Sequence, residues 1–248
     1  MATALVTGGA RRIGRALSLE AARAGYAVAI HHRDAAEDAA SLIAEIEAGG
    51  GKAVALTGDL SDTATPKALI EGAAAALGPL TLLVNNASLF SDDRVDSLDE
   101  AGWEAHFAAN LRAPVFLAQA FAAQLPAGAN GLIVNILDQR VWRANPMFFS
   151  YTLSKSALWT ATQTLAQALA PHIRVNGIGP GPTLASIHQK RRDFEAEAAA
   201  TPLGQAVAPE EIAAALRYLI DAPSVTGQMI AVDAGQHLAW RTPDVIGP

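Results

Sequence analysis

The chain of 248 residues has no cysteine, which excludes disulfide frameworks, thiolate zinc sites and cysteine nucleophiles. That absence fits a reducing compartment, and a cytoplasmic protein is expected. Positive charge is also short. Lys and Arg number 18 against 24 Asp and Glu, giving a formal charge of −6 and a pI near 5.5, so no basic field exists to hold a polyanion. Neither nucleic acid nor an anionic membrane is expected as a partner, and a small-molecule substrate is. No apolar run reaches membrane-spanning length, and "MATALVTGGA" enters a strand and a glycine turn at once, which predicts no signal peptide. Interdomain linkers and fixed-period repeats are lacking too, so one domain is expected over residues 1–248, with 51% hydrophobic composition to fill its core.

What is present is a regular alternation. Seven short apolar runs, "TALVT", "YAVAIH", "KAVALT", "LTLLVNN", "GLIVNIL", "HIRVNGI" and "QMIAVD", are separated by Ala-rich stretches with helical periodicity such as "AAEDAASLIAEIEAGG". Runs apolar on nearly every residue suit a parallel sheet covered on both faces. The expected fold is therefore α/β, a single doubly wound Rossmann-type domain with a seven-stranded parallel sheet flanked by helices. One segment interrupts the pattern. Leu184 to Pro202 is charged and without strand character, and reads as a mobile flap over a site.

Gly8, Gly9 and Gly14 fall in the turn from the first strand into the first helix, where a glycine backbone can approach a pyrophosphate and helix N–H groups stand unpaired. The strict GxGxxG spacing is missing. Also missing is the carboxylate that NAD enzymes place at the end of the second strand for the ribose 2′-hydroxyl; "HHR", His31, His32 and Arg33, stands there instead. Arg12 follows the glycines, and with Arg33 it would hold a 2′-phosphate through forked, charge-assisted bonds, which predicts NADPH. The alternative is that Arg11, Arg12 and Arg33 are solvated surface residues.

At the chemical end, Asp138 closes the run "GLIVNIL", Tyr151 follows thirteen residues later, and Lys155 stands four beyond it. Residues at i and i+4 share a helix face, so an ammonium can lie beside the phenol and lower its pKa from the ordinary value near ~10. Proton transfer at neutral pH then becomes feasible.

From end to end the chain resembles the short-chain dehydrogenase/reductase family. "TGGARRIG" resembles its TGxxxGxG turn, "GDLSD" its adenine-contacting segment, "NNAS" its NNAG, "YTLSK" its YxxxK and "GPGPT" its PG motif. The resemblance implies Tyr151 as the acid, Lys155 as the nicotinamide-ribose ligand that tunes it, and Asn110 in "NLRAP" as support for a proton relay. It implies further cofactor contacts from Gly8, Arg11, Arg12, Ile13 and Gly14, from His32 and Arg33, and from Asp59 and Leu60. Asn86, Ala87 and Ser88, with Pro180, Gly181 and Thr183 beside the nicotinamide, complete the set. A homotetramer is implied by the same resemblance.

Three departures narrow it. Arg12 takes the place of a third turn glycine, Asp138 that of a serine, and NNAG has become "NNASLF". All three resemble pteridine reductases and the similar bacterial dihydromonapterin reductases, in which an aromatic stacks on the pterin ring. The resemblance implies substrate contacts from Ser88, Phe90, Asp138 and Tyr151. A ketone reductase needs a neutral donor at Asp138, because a carboxylate would repel the developing alkoxide. Reducing a ring C=N bond instead requires a proton at nitrogen, which a carboxyl and a phenol sharing protons can supply.

Other readings stand beside these. Asp138 could be a structural acid paired with Arg140 or Arg143, and Phe90 a packing residue. "RVWRANPMFFSY" is expected to wall the cleft, with Trp142 and Phe148 or Phe149 as its aromatics. His106, His172, His188 and His237 show no ligand spacing, so no metal is expected. Trp103 and Trp159 read as packing residues, and Trp240 and Arg241 in the tail 239–248 as candidates to reach a neighbouring subunit. For function, a reductase of another carbonyl or imine remains an alternative, as does a non-catalytic dinucleotide sensor or scaffold. Against the sensor stands the intact set Asn110, Tyr151 and Lys155.

Overall fold

In the computed structural model, which describes residues 2–185 and 189–240, every one of the seven apolar runs is a strand. They are β1 (Thr3–Val6), β2 (Ala27–His32), β3 (Ala53–Thr57), β4 (Leu80–Asn85), β5 (Gly131–Ile136), β6 (Ile173–Pro180) and β7 (Met229–Val232). All pairings are parallel, in the order β3-β2-β1-β4-β5-β6-β7. The predicted doubly wound sheet is what forms.

Both faces are covered, which is why the runs lack polar alternation. Ala4 and Val6 of β1 pack with α1 (Arg12–Arg23), α2 (Ala36–Ala48) and α8 (Pro209–Asp221), through Leu17, Leu42 and Leu216 among others. Leu5, pointing the other way, packs with α3 (Thr65–Leu77), α5 (Ala113–Gln124) and α6 (Phe149–Leu169) through Leu69, Phe121 and Ala166. Pro66 and Pro209 sit in the first turns of α3 and α8, where a missing N–H costs nothing.

The strand order reverses between β1 and β4, and the crevice outside the carboxyl ends of these strands is where an open α/β sheet binds its ligand. Buried polar side chains fix that edge. Asn85 Nδ2 donates to Asn135 Oδ1 at 2.8 Å, and Asn135 Nδ2 to Thr162 Oγ1 at 2.9 Å, which ties the tips of β4 and β5 to α6. The α4 helix (Glu100–Phe107) continues through a π-turn, Ala108–Arg112, into α5.

The segment read as a flap holds a helix, α7 (Arg191–Ala199), which the Ala- and Glu-rich run "FEAEAAA" could have signalled. Its partners place it over the crevice. Glu197 accepts Gln189 Nε2 at 2.9 Å and Gln236 Nε2 at 3.0 Å. His188, Arg241 and the tail beyond Trp240 lie outside the described residues. No helix among the described residues is long and apolar enough to cross a membrane.

Candidate active site

A cleft of about 900 Å³ opens at the carboxyl edge of the sheet. Of the predicted residues it is lined by Arg12, Ile13, Asn86, Ser88, Phe90, Asp138, Tyr151, Lys155, Pro180, Gly181 and Thr183, brought together from five segments of chain. The rest stand behind or beside it.

The glycine turn is built from the sequence upward. Gly8 has φ +58°, a left-handed conformation, and a Cβ on Gly14 would meet the Gly8 carbonyl at 2.0 Å, so the helix and turn close up only because Gly14 has no side chain. Asn86 Nδ2 donates to the carbonyls of Thr7 and Gly8 at 2.9 and 3.0 Å, while Thr7 Oγ1 receives the Asn86 and Ala87 N–H groups. His31, a residue without an assigned role in the sequence, braces the same turn. Its Nδ1 accepts the Gly8 N–H at 3.2 Å and its Nε2 donates to the Gly58 carbonyl at 3.0 Å. Burial holds His31 below the ordinary histidine pKa, partly offset by the Gly58 carbonyl, in keeping with that neutral tautomer.

Helix α1 begins with neither a side-chain cap nor an acid in its first turn, which leaves its N–H groups for an anion. Arg12 has a left-handed backbone, φ +53°, a region that favours glycine, and its guanidinium donates to the carbonyls of Leu184 and Ala185 at 2.9 and 3.0 Å. Arg11 pairs with Asp38 at 2.5 Å, and Arg33 with Asp34 at 3.6 Å, both on exposed surface. His32 is buried, its Nε2 3.3 Å from Thr57 Oγ1. Asp59 accepts the Ser61 N–H at 2.8 Å, and that bond lowers its pKa, while the neighbouring Leu60 is buried in the core.

The chemical end centres on one contact. The Tyr151 hydroxyl donates to Asp138 Oδ2 at 2.9 Å, and Asp138 Oδ1 accepts the Arg140 N–H at 2.8 Å. The structural alternative is met in part, since Arg140 Nε lies 3.9 Å from Asp138, whereas Arg143 reaches the Gln236 carbonyl instead. Burial raises the Asp138 carboxyl, against the pull of Arg140, its N–H, the phenol and Lys155. Burial and the adjacent carboxylate push Tyr151 well above the ordinary phenol value. This corrects the sequence expectation of a lowered phenol. Lys155 Nζ does not bond the hydroxyl; it donates to the Ile136 carbonyl at 2.7 Å, and burial brings it down to about 8.

Asn110, fully buried in the π-turn, contacts neither Tyr151 nor Lys155 through its amide. Its Oδ1 accepts the Leu89 N–H at 2.8 Å and the Ser88 hydroxyl at 3.1 Å, and its Nδ2 donates to the Leu89 carbonyl and Ser154 Oγ. Phe90 stacks on Phe148, centroids 4.3 Å apart, and meets Tyr151 edge-on at 4.7 Å. Of the aromatic wall candidates, Phe148 lines the cleft; Trp142 stands 46% exposed against His237. Trp103 stacks on Phe107, and Trp159 packs on the cluster of Leu137, Leu158 and Met229. Among the described residues no His, Asp and Glu side chains group as a metal site.

Sequence comparison matches residues 2–196 to the family described as short chain dehydrogenase. The chain belongs to that family. Solved structures similar to this chain include FolM alternative dihydrofolate reductase 1 from Brucella canis, complexed with NADP, at 50% identity and TM-score 0.95 over 98% of this chain and 97% of that one. The corresponding Brucella suis protein, also with NADP, is 51% identical at TM-score 0.95, covering 98% of each chain. A curated relative, the L-rhamnose 1-dehydrogenase (NAD(P)(+)) of Sphingomonas sp. (strain SKA58), is 34% identical over 95% of this chain and 96% of its own. The family thus joins relatives whose names point to unlike substrates.

Proposed function

We propose that the protein is an NADPH-dependent reductase of a C=N bond in a pterin-like substrate of the dihydropteridine, dihydromonapterin or dihydrofolate type. The observation that carries this reading is the Tyr151 to Asp138 hydrogen bond at 2.9 Å on the cleft wall. A carboxyl at that position disfavours a plain ketone and suits a substrate nitrogen that must receive a proton. The identity to the two Brucella reductases supports the same reading.

NADPH supplies the hydride when bound. The N–H groups at the start of α1, with the Gly8 turn, would hold its pyrophosphate, Asp59 its adenosine and Lys155 its nicotinamide ribose; Arg33 would hold its 2′-phosphate with Arg11 in place of the expected Arg12, whose guanidinium is turned to the Leu184 and Ala185 carbonyls. Asp138 and Tyr151 hold the transferable proton between Oδ2 and the phenol oxygen. With Asp138 in the acid form that its burial favours, the pair starts neutral with two protons, and giving one to the ring nitrogen leaves it one negative charge, which Arg140 and Lys155 face. Ser88 and Arg12 would bond the polar edge of the ring, and Phe90 would cover one of its faces. The enzyme is taken to act in the cytoplasm as a homotetramer.

The test is oxidation of NADPH by the purified protein with dihydrobiopterin, dihydromonapterin and dihydrofolate beside a panel of simple ketones. Turnover of the pterins supports the reading. Turnover of ketones or sugars alone gives the case to a carbonyl reductase or dehydrogenase, the reading that the Sphingomonas relative favours, and NADPH binding with no turnover at all gives it to a sensor.

A pH profile follows from the same groups. The Lys155 ammonium is present below about 8 and lost above it, and the shared proton of Asp138 and Tyr151 is also held on the acid side. The expected kcat/KM, which reports the free enzyme, therefore falls as pH rises through about 8. A flat profile from neutrality to the ordinary lysine range would remove Lys155 from the proposed machinery.

A further inference from the structure

The loop after β4 carries Phe90, and the main chain is fastened on both sides of it. Asn110 grips Leu89 by its N–H and its carbonyl, at 2.8 and 3.0 Å. On the other side the Ser91 N–H donates to His106 Nε2 at 3.2 Å. His106 belongs to α4 and is 1% exposed; its Nδ1 lies 2.7 Å from Ser150 Oγ. Ser150, in the first turn of α6 beside Tyr151, gives its N–H to Asp93 Oδ1 at 3.0 Å and its hydroxyl to Asp93 Oδ2. The Asp93 carbonyl receives the Phe149 N–H at 3.1 Å, so this acid caps the helix that carries Tyr151 and Lys155.

One arrangement of hydrogens satisfies this chain. Nε2 accepts, so Nδ1 carries the proton and donates to Ser150 Oγ, whose own hydrogen goes to Asp93. Serine, histidine and aspartate are the residues of a hydrolytic triad, yet Ser150 is fully buried, does not line the cleft, and has its proton committed to the carboxylate. Nucleophilic catalysis is excluded here, and a different role remains.

We propose that His106, acting through Ser91, Ser150 and Asp93, is a positioning residue that sets Phe90 against Tyr151 and thereby the affinity for the flat substrate. The proposal rests on the reading of Phe90 as the stacking ring. Three separate elements meet at this imidazole, and its ring lies 6.3 Å from that of Tyr151. Asp93 ties the loop to the start of α6 two residues further on, and His106 is what links the Ser91 N–H, next to Phe90, to the same Ser150.

The lock requires a neutral ring. A second proton would sit on Nε2 facing the Ser91 N–H, leaving two donors opposed. The titratable groups that face the ring are Asp93 from the loop, Oδ2 at 4.0 Å from Nδ1, and Tyr151 from α6. Burial lowers the His106 pKa from its ordinary value, and Asp93 only partly reverses that. The bond to Ser91 is therefore kept above the ordinary histidine range and lost as pH falls through the lowered pKa.

Two variants separate the ends of the ring. His106→Asn keeps a donor near Nδ1 and loses the Nε2 acceptor, whereas His106→Gln places an amide oxygen near Nε2 and does not titrate. Hydrogen exchange at Ser91 in the ligand-free protein, corrected for intrinsic rates, is expected to quicken about two- to tenfold in the Asn variant, the equivalent of one hydrogen bond. In the wild type it should quicken as pH falls, and in the Gln variant it should stay slow at every pH. With NADPH and a dihydropterin, KM should rise by the same factor in His106→Asn with kcat held, and return in His106→Gln.

Unchanged Ser91 exchange in the Asn variant, or a pH-independent wild type, overturns the proposal. So does a loss of kcat and thermal stability together with no separate change in KM. The exchange measurement needs no substrate: if it responds while dihydropterins are not turned over, the lock stands and the pterin reading falls.

Discussion

Asp138→Ser is expected to lower kcat/KM for a dihydropterin by about 10²- to 10⁴-fold, the contribution of a positioned general acid, with NADPH affinity unchanged. Serine can donate one hydrogen bond but cannot hold a second transferable proton beside Tyr151, and it removes the carboxyl that, with burial, holds the phenol high. Turnover of simple ketones, if any is present in the wild type, should be kept or gained, because the negative group opposed to an alkoxide is gone. Asp138 also accepts the Arg140 N–H at 2.8 Å, so a structural loss must be separated from a chemical one. Asp138→Asn does so: it keeps an acceptor for that N–H and cannot share a proton. Equal loss in both variants at unchanged thermal stability assigns the effect to the proton, whereas full pterin turnover in Asp138→Ser would make this a structural acid.

Gly14→Ala is expected to weaken NADPH by at least about tenfold, the equivalent of about 1.4 kcal/mol, whatever the substrate proves to be. The added methyl would lie 2.0 Å from the Gly8 carbonyl and 2.7 Å from Asn86 Nδ2, and the nearer atom is backbone, so the turn itself must open. Overpacking of that kind costs about 1–3 kcal/mol, which for a chain of this size lowers Tm by roughly 2–12 °C. Fluorescence titration with NADPH and a melting curve with and without it check both effects. Wild-type affinity in the variant would mean that the cofactor does not lie against this turn.

The sheet was legible because its strands are buried on both faces, and a short run such as Leu82, Leu83 and Val84, repeated seven times between longer helical stretches, fits a covered parallel strand. Asp138, Tyr151 and Lys155 were legible by spacing, and the structure brings them into one cleft. Spacing did not reveal where each polar atom points. Sharing a helix face with Lys155 says nothing of the burial and the Asp138 carboxylate that raise the Tyr151 phenol, nor of the Ile136 carbonyl that holds the amine, so the direction of the phenol shift was misjudged. Asp93 belongs to no motif in the sequence, and it caps a helix 57 residues further on, a contact with no local signature. His31 was hidden for the same reason: its two partners, Gly8 and Gly58, lie on different turns. Arg12 was legible as a departure from glycine, but its left-handed backbone and its bonds to the Leu184 and Ala185 carbonyls were not.

The place of β1 in the sheet bears on how the chain acquires its shape. This first strand lies at the centre, bonded on one side to β2 and on the other to β4, and Thr7 next to it reaches the Val84 carbonyl 77 residues away. Pairings so distant along the chain form slowly, because a long loop must close before any contact rewards it. At ordinary elongation rates the partner strand is absent for roughly 4–16 s after the first has been made. During synthesis the future centre of the sheet is therefore an open edge, and its length of four residues keeps that edge short while β4 is still to come.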